Sequence, residues 1–232
     1  MNKLLTLDMG NTRSKVALFA NNQCEDFRIF HNISELESYL KEMELPVMAC
    51  SVTSRPEIKG IDIYWLDTRL NMPFRLDVDE PESVGADRLA AVLGAVHLYP
   101  KKELLIIDAG TCVTYEYVSS EGVYWGGAIS PGLDLRYRSM HDYTAALPRL
   151  KALEELPPRE GKDTEGAMHS GVLLGFIAEI EERIGAFQSK NADSVVIITG
   201  GDASFLANPL KTGIFVEPML LHLGLNYAYQ SL

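Results

Sequence analysis

Apolar and polar positions divide the chain into two stretches that begin alike. Residues 3–8 (KLLTLD) and 104–108 (LLIID) are apolar runs closed by an aspartate. Each is followed by a turn of small residues, MGNT in one and AGT in the other. A second segment of strand character then returns, at 14–19 (SKVALF) and 113–118 (VTYEYV). A short apolar run ended by Gly and polar residues reads as a buried strand, and the return segment makes each pair a hairpin. Asp8 and Asp108 stand 100 positions apart. A repeat on that scale predicts two similar α/β halves, not a solenoid. The expected division is 1–100 and 101–232, with the halves joined near residues 98–104.

Helical spacing appears between the strand signals. Ser34 followed by Glu37 reads as a capping box, ahead of Leu36, Tyr39, Leu40 and Met43 on one helix face. Residues 47–52 and 61–66 read as short strands. Residues 86–99 carry Leu89, Val92, Leu93 and Val96 at helical spacing and stop at Pro100. Gly122 marks a turn before VYWGGAI. Asp163 or Thr164 caps a long helix to about Phe187, with Val172, Leu173, Phe176, Ile177, Ile180 and Ile184 inward. Residues 195–199 (VVIIT) read as a buried strand ending in Gly200-Gly201-Asp202, and a last helix runs from about Pro218 to Tyr229. Pro148, Pro157 and Pro158 flank a charged surface excursion.

Composition narrows the function classes. Of 232 residues, 47% are apolar and 23% charged, as in a globular chain with a substantial core. Lys and Arg number 21 against 32 Asp and Glu, a net charge of −11. That balance argues against a general nucleic-acid binder, which must neutralise phosphates with cations. It leaves room for a small phosphorylated ligand, because backbone N–H groups can cradle phosphate. Cys24, Cys50 and Cys112 are odd in number and form no CxxC pair, so neither a zinc site nor a disulfide framework is expected. They suit a reducing compartment, and with no leader or apolar run of membrane length the expectation is a cytoplasmic chain.

Five segments carry candidate chemistry. Asp8-Met9-Gly10-Asn11-Thr12 and Asp108-Ala109-Gly110-Thr111 each set a carboxylate before a turn whose N–H groups can approach an anion. Two such turns in matching halves are suited to embracing a polyphosphate. Thr199-Gly200-Gly201-Asp202 is a third turn after a strand. Gly85-Ala86-Asp87-Arg88 opens a helix, where Asp can accept a hydroxyl proton and Arg can meet an anionic group. Gly126-Gly127-Ala128-Ile129-Ser130-Pro131-Gly132-Leu133 fixes a tight backbone path. Neither a Walker A motif nor GxGxxG is present, so P-loop and Rossmann readings lack their fingerprints. The bland readings are ordinary turns, and a solvated helix face for the acidic stretch 179–182.

Taken in order, DMGNTRSK, GADR, DAGT, GGAISPGL, Thr164 before a long helix and TGGD resemble type III pantothenate kinase, a member of the actin-like ATPase superfamily. The resemblance runs from residue 4 to beyond 202. It implies two actin-like (ribonuclease H-like) halves with mixed β-sheets flanked by helices. It further implies transfer of the ATP γ-phosphoryl to the hydroxyl of pantothenate, the first step of coenzyme A synthesis, by a homodimer using Mg²⁺ and a monovalent cation, K⁺ or NH₄⁺. On that resemblance Asp87 is the general base, and Gly85, Ala86, Asp87, Arg88 and Thr164 bind substrate. Asp8, Met9, Gly10, Asn11, Thr12, Arg13, Ser14, Lys15 and Thr111 bind ATP, and Asp108 holds the monovalent cation. The family often has Tyr where this chain has Val78, while Pro81 is kept. The alternative from another class is a nucleotide-binding regulatory accessory factor of the same fold, without kinase turnover.

Overall fold

A computed structural model describes residues 3–190, 193–210 and 213–232. The first hairpin is β1 (Lys3–Met9) against β2 (Ser14–Ala20), antiparallel from Lys3↔Ala20 to Met9↔Ser14. β2 pairs antiparallel with β3 (Gln23–Phe30), and β1 pairs in parallel with β4 (Val47–Ser51). β4 pairs in parallel with β5 (Ile63–Trp65), giving the order β3-β2-β1-β4-β5. Strand periodicity then divides the faces. Leu5, Leu7 and Met9 join Val16 and Leu18 in a core completed by Leu36, Tyr39 and Leu40 of helix α1 (Ile33–Met43). Thr6 and Asp8 stand on the opposite face, where α2 (Ala86–Leu98) and α7 (Leu220–Gln230) pack on each other and on β4.

The second hairpin, β7 (Glu103–Ala109) and β8 (Cys112–Val118), repeats the plan. With β9 (Val123–Pro131), β10 (Ser194–Thr199) and β11 (Ile214–Val216) the order is β11-β10-β7-β8-β9. This is the order of the first sheet with each strand replaced by its counterpart, so the sequence repeat is a repeat of topology. The first residues of β9 also pair in parallel with the two-residue β6 (Arg75–Leu76). Leu105, Ile107, Val113, Val196 and Ile198 face a core shared with Phe176, Ile180 and Ile184 of α5 (Gly175–Lys190) and Tyr137 of α3 (Leu133–Asp142). The long helix expected after Asp163 is not uniform. α4 (Thr164–His169) passes through a π-helical segment, Ser170–Leu174, into α5.

Contacts divide the chain into two units differently from a single cut at 100/101. The first takes residues up to Lys101, Val118–Gly126 and Met219–Leu232; the second takes Lys102–Tyr117 and Gly127–Pro218. The C-terminal helix belongs to the first unit because it packs on α2. α1 begins at Ile33 with Asn32 as cap, its side chain accepting from Glu35 N–H at 2.8 Å, so the cap lies two residues before Ser34. β3, α3, β11 and the single-turn α6 (Ala203–Leu206) are additions to the elements expected from sequence.

Candidate active site

The first unit places the residues from Asp8 to Lys15 at the end of β1 and the start of β2. Asp8 is paired in register with Lys15 on β2 and Cys50 on β4, so the three side chains share one sheet face. Asp8 is 7% exposed. Its Oδ2 lies 3.3 Å from Lys15 Nζ, and its Oδ1 accepts from the Cys50 thiol at 3.8 Å. Burial, then the Asp8 and Asp87 carboxylates, push the Cys50 thiol well above its ordinary range, so it stays a neutral donor. The loop is closed by Gly10 N–H donating to Arg13 O at 3.2 Å. Asn11, Thr12 and Arg13 are exposed at its tip, Ser14 is half-buried and Met9 turns into the core.

Asp87 is the second residue of α2, after Gly85 as N-cap and Ala86. Its Oδ1 accepts from the Arg88 N–H at 2.8 Å. A Cβ on Gly85 would lie 2.6 Å from that oxygen, so glycine leaves the carboxylate its place. The Arg88 guanidinium donates to the Tyr124 hydroxyl at 2.9 Å. Tyr124 is fully buried at the start of β9, where its carbonyl accepts from Asp77 N–H at 2.9 Å. Sequence reasoning did not single out Tyr124. Its one signal is an aromatic inside a strand that otherwise turns toward solvent. Val78 is half-buried, with its Cγ1 3.2 Å from where a Cβ on Gly126 would sit.

In the second unit Asp108 ends β7 one residue before its last, paired in register with Thr199 of β10. Leu105, Ile107 and Ala109 face the core, so Asp108 and Thr199 share the other face. Thr199 is 1% exposed, and its hydroxyl has no hydrogen-bond partner among the described residues. Gly200 follows at φ +93°, where a Cβ would lie 2.4 Å from Asp108 Oδ1 and 2.5 Å from Ala109 O. Gly132 approaches the same loop, its N–H donating to Thr111 O at 3.1 Å. The Gly-rich segments noted in the sequence thus wedge the DAGT loop from two sides. Thr111 is exposed. Thr164 is exposed in the first turn of α4, and Asp163 is the cap, accepting from Gly166 N–H at 2.7 Å.

Glu179 departs from the solvated face expected for 179–182. It accepts from Tyr115 Oη at 2.9 Å, from Ser130 Oγ at 3.2 Å and from the Arg136 guanidinium. Burial raises its carboxyl, but the hydrogen bonds from Arg136 and Tyr115 outweigh that and hold it below the usual range. Arg136 also stacks over Phe176, 4.9 Å from its ring centre. Among the described residues no three His, Cys, Asp or Glu gather where a metal ion could be held by side chains alone.

Two matching sheets, each with an Asp-Gly turn at the end of its first strand, define the fold of actin-like ATPases and sugar kinases. A solved structure of the inorganic polyphosphate/ATP-glucomannokinase of Arthrobacter sp. strain KM matches 100% of this chain and 98% of its own at TM-score 0.52 and 11% identity. A Campylobacter jejuni protein described as of the Baf family of transcriptional activators covers 97% of both chains at TM-score 0.67 and 18% identity. Both likenesses concern the fold. The family model for type III pantothenate kinase matches residues 4–186. The type III pantothenate kinase of Flavobacterium psychrophilum is 40% identical over 238 residues, 98% of each chain. The chain belongs to the type III pantothenate kinase family.

Proposed function

We propose that this chain transfers the γ-phosphoryl of ATP to the primary hydroxyl of pantothenate, giving 4'-phosphopantothenate and ADP. Family membership across 98% of a relative supports the reaction. The observation that carries the residue roles is the opening of α2, where Gly85 leaves Asp87 its place and Arg88 is oriented by Tyr124. Asp87 accepts the hydroxyl proton as the oxygen bonds to the γ-phosphorus and the bond to the β,γ-bridging oxygen breaks. Arg88 receives the pantothenate carboxylate, and Thr164 contacts the same substrate. Asn11, Thr12, Arg13 and Ser14 offer backbone and side-chain donors to the ATP phosphates, on a loop that Met9 and Gly10 shape. Lys15 supplies charge beside Asp8, and Thr111 adds a further ATP contact. The regulatory reading of the fold is not favoured, since the curated relatives are named as kinases.

The reading includes Mg²⁺ and a monovalent cation, K⁺ or NH₄⁺, with Asp108 as ligand. The residues fit a hard cation, since a carboxylate stands in register with a buried hydroxyl lacking any partner among the described residues. When bound, the cations offset the negative charge of the phosphates. A homodimer in the cytoplasm completes the reading; no helix among the described residues is long and apolar enough to cross a membrane.

The test is ADP release with ATP, Mg²⁺ and potassium, with and without pantothenate. Pantothenate and potassium should each be required. A general base contributes roughly 10²–10⁴-fold, so Asp87→Asn should raise the barrier by about 3–5 kcal/mol and leave the unfolding midpoint unchanged. Turnover by Asp87→Asn at the parent rate would remove the base assignment.

A further inference from the structure

We propose that α7 is a positioning element for phosphoryl transfer, setting the base helix α2 against the phosphate strand β1 through His222 and two facing glycines. The inference rests on the roles given above to Asp87 and to the loop from Asp8 to Lys15. His222 is 2% exposed, and its Nδ1 lies 2.8 Å from Thr6 Oγ1. Thr6 is fully buried and precedes Asp8 by two residues on the same face of β1. Its hydroxyl also reaches Ala17 O at 3.4 Å. With Nδ1 protonated, His222 donates to Thr6 Oγ1, and the threonine hydroxyl is free to donate to Ala17 O. Nε2 is then a bare acceptor with no partner among the described residues. An unsatisfied buried nitrogen costs stability that a leucine would not. What the imidazole adds in return is a hydrogen bond that ties α7 to β1 two residues before Asp8.

The second half of the device is the α2–α7 contact. A Cβ on Gly94 would lie 2.2 Å from Leu220 O, and one on Gly224 would lie 1.9 Å from Ala90 O. The helices thus touch backbone to backbone at two points, leaving α2 little freedom to slide or roll. Asp87 sits on the same rigid rod, two turns before Gly94. α7 is anchored at both margins of the sheet, with His222 edge-on to Phe27 of β3 at 5.6 Å and Tyr229 against Tyr64 of β5 at 5.5 Å. Residues 220–230 lie beyond the stretch the family model matches. His222 is buried and meets Thr6 rather than solvent, so the role assigned to it is positioning.

The experiment compares Thr6→Val, His222→Leu, their double variant, Gly224→Ala and Asp87→Asn by kcat, by KM for ATP and pantothenate, and by thermal midpoint. Assays run well below each midpoint. Misplacing reacting groups by a fraction of an ångström should lower kcat about tenfold in Thr6→Val and in His222→Leu, with both KM values within about twofold. The double variant should be no worse than the poorer single one, because both remove one interaction. Gly224→Ala should lower kcat in the same way. Thr6→Val is nearly isosteric, so it carries the test even where His222→Leu or Gly224→Ala folds poorly. Unchanged kcat in folded Thr6→Val, or single losses that multiply in the double, would overturn the proposal. If Asp87→Asn retains turnover, the base assignment fails instead. If Asp87→Asn is inactive while Thr6→Val and His222→Leu turn over like the parent, only the positioning role fails.

Discussion

At the scale of single residues, the site is shaped as much by missing side chains as by present ones. Gly200 is the clearest case, since its φ of +93° is a region that L side chains rarely adopt and a Cβ would meet Ala109 O at 2.5 Å. Backbone cannot give way as a side chain can, so Gly200→Ala should lose about 2 kcal/mol or more in urea unfolding. An unchanged midpoint would mean that the DAGT loop is not held by this contact. His222 makes a prediction of the opposite kind. Burial pushes its pKa from 6.5 down to about 4, Asp8 raising and Lys15 lowering it further. A base whose folded pKa is depressed contributes fully above pH 6.5 and loses that contribution as pH falls toward 4, because the unfolded chain binds the proton more readily. The window is worth about 3 kcal/mol at roughly 1.4 kcal/mol per pH unit. His222→Leu should therefore show a flatter decline of unfolding free energy between pH 6.5 and 4 than the parent. Parallel curves would show that the imidazole is not charged on unfolding.

At the scale of elements, Glu179 shows how a helix face is recruited. It sits on α5, yet Tyr115 of β8, Ser130 of β9 and Arg136 of α3 all donate to it. Glu179→Gln keeps the shape and leaves the mostly buried Arg136 without its counter-charge. With both side chains about four-fifths buried, the expected loss is about 2–3 kcal/mol. Replacing Glu179 and Arg136 together by leucine should recover part of it, and denaturant titration of Glu179→Leu, Arg136→Leu and their double variant measures the coupling. Additive losses would mean that the pair is not an interaction unit. No such arrangement is legible in Glu179-Ile180-Glu181-Glu182, because the donors come from three distant segments. The two opening hairpins are legible, since an apolar run ended by Asp and Gly depends only on local chemistry. β3 (QCEDFRIF) is not, because an edge strand with both faces largely wet needs no apolar alternation. α7 reads correctly as a helix, but its partner α2 lies more than 120 residues earlier, and helical periodicity carries no information about which surface it meets. Likewise GADR reads as a helix opening with usable chemistry, while the tyrosine that orients its arginine arrives by a later strand.

At the scale of the whole molecule, the duplicated sheet order and the net charge of −11 pull in different directions. Duplication supplies two Asp-Gly turns, each able to present N–H donors to phosphate, but it also supplies two carboxylates, Asp8 and Asp108. Lys15 lies 3.3 Å from Asp8, so its charge is largely committed there. A phosphate at either turn thus meets favourable backbone dipoles opposed by that turn's own carboxylate and by the net negative charge of the chain. Cations are the direct remedy. ATP alone should raise the thermal midpoint only slightly, whereas ATP with Mg²⁺ and potassium should raise it strongly. A ligand at 100 times its dissociation constant adds about 2.7 kcal/mol to folding stability. Substituting sodium for potassium, at equal ionic strength to hold screening constant, should return part of the shift. Asp108→Asn should weaken the potassium dependence of the ATP shift while leaving the stability of the ligand-free chain nearly unchanged. Equal midpoints with ATP alone and with ATP plus both cations would mean that the turns and Lys15 suffice for the phosphates. The carboxylate at the end of β7 would then have to be explained without a cation.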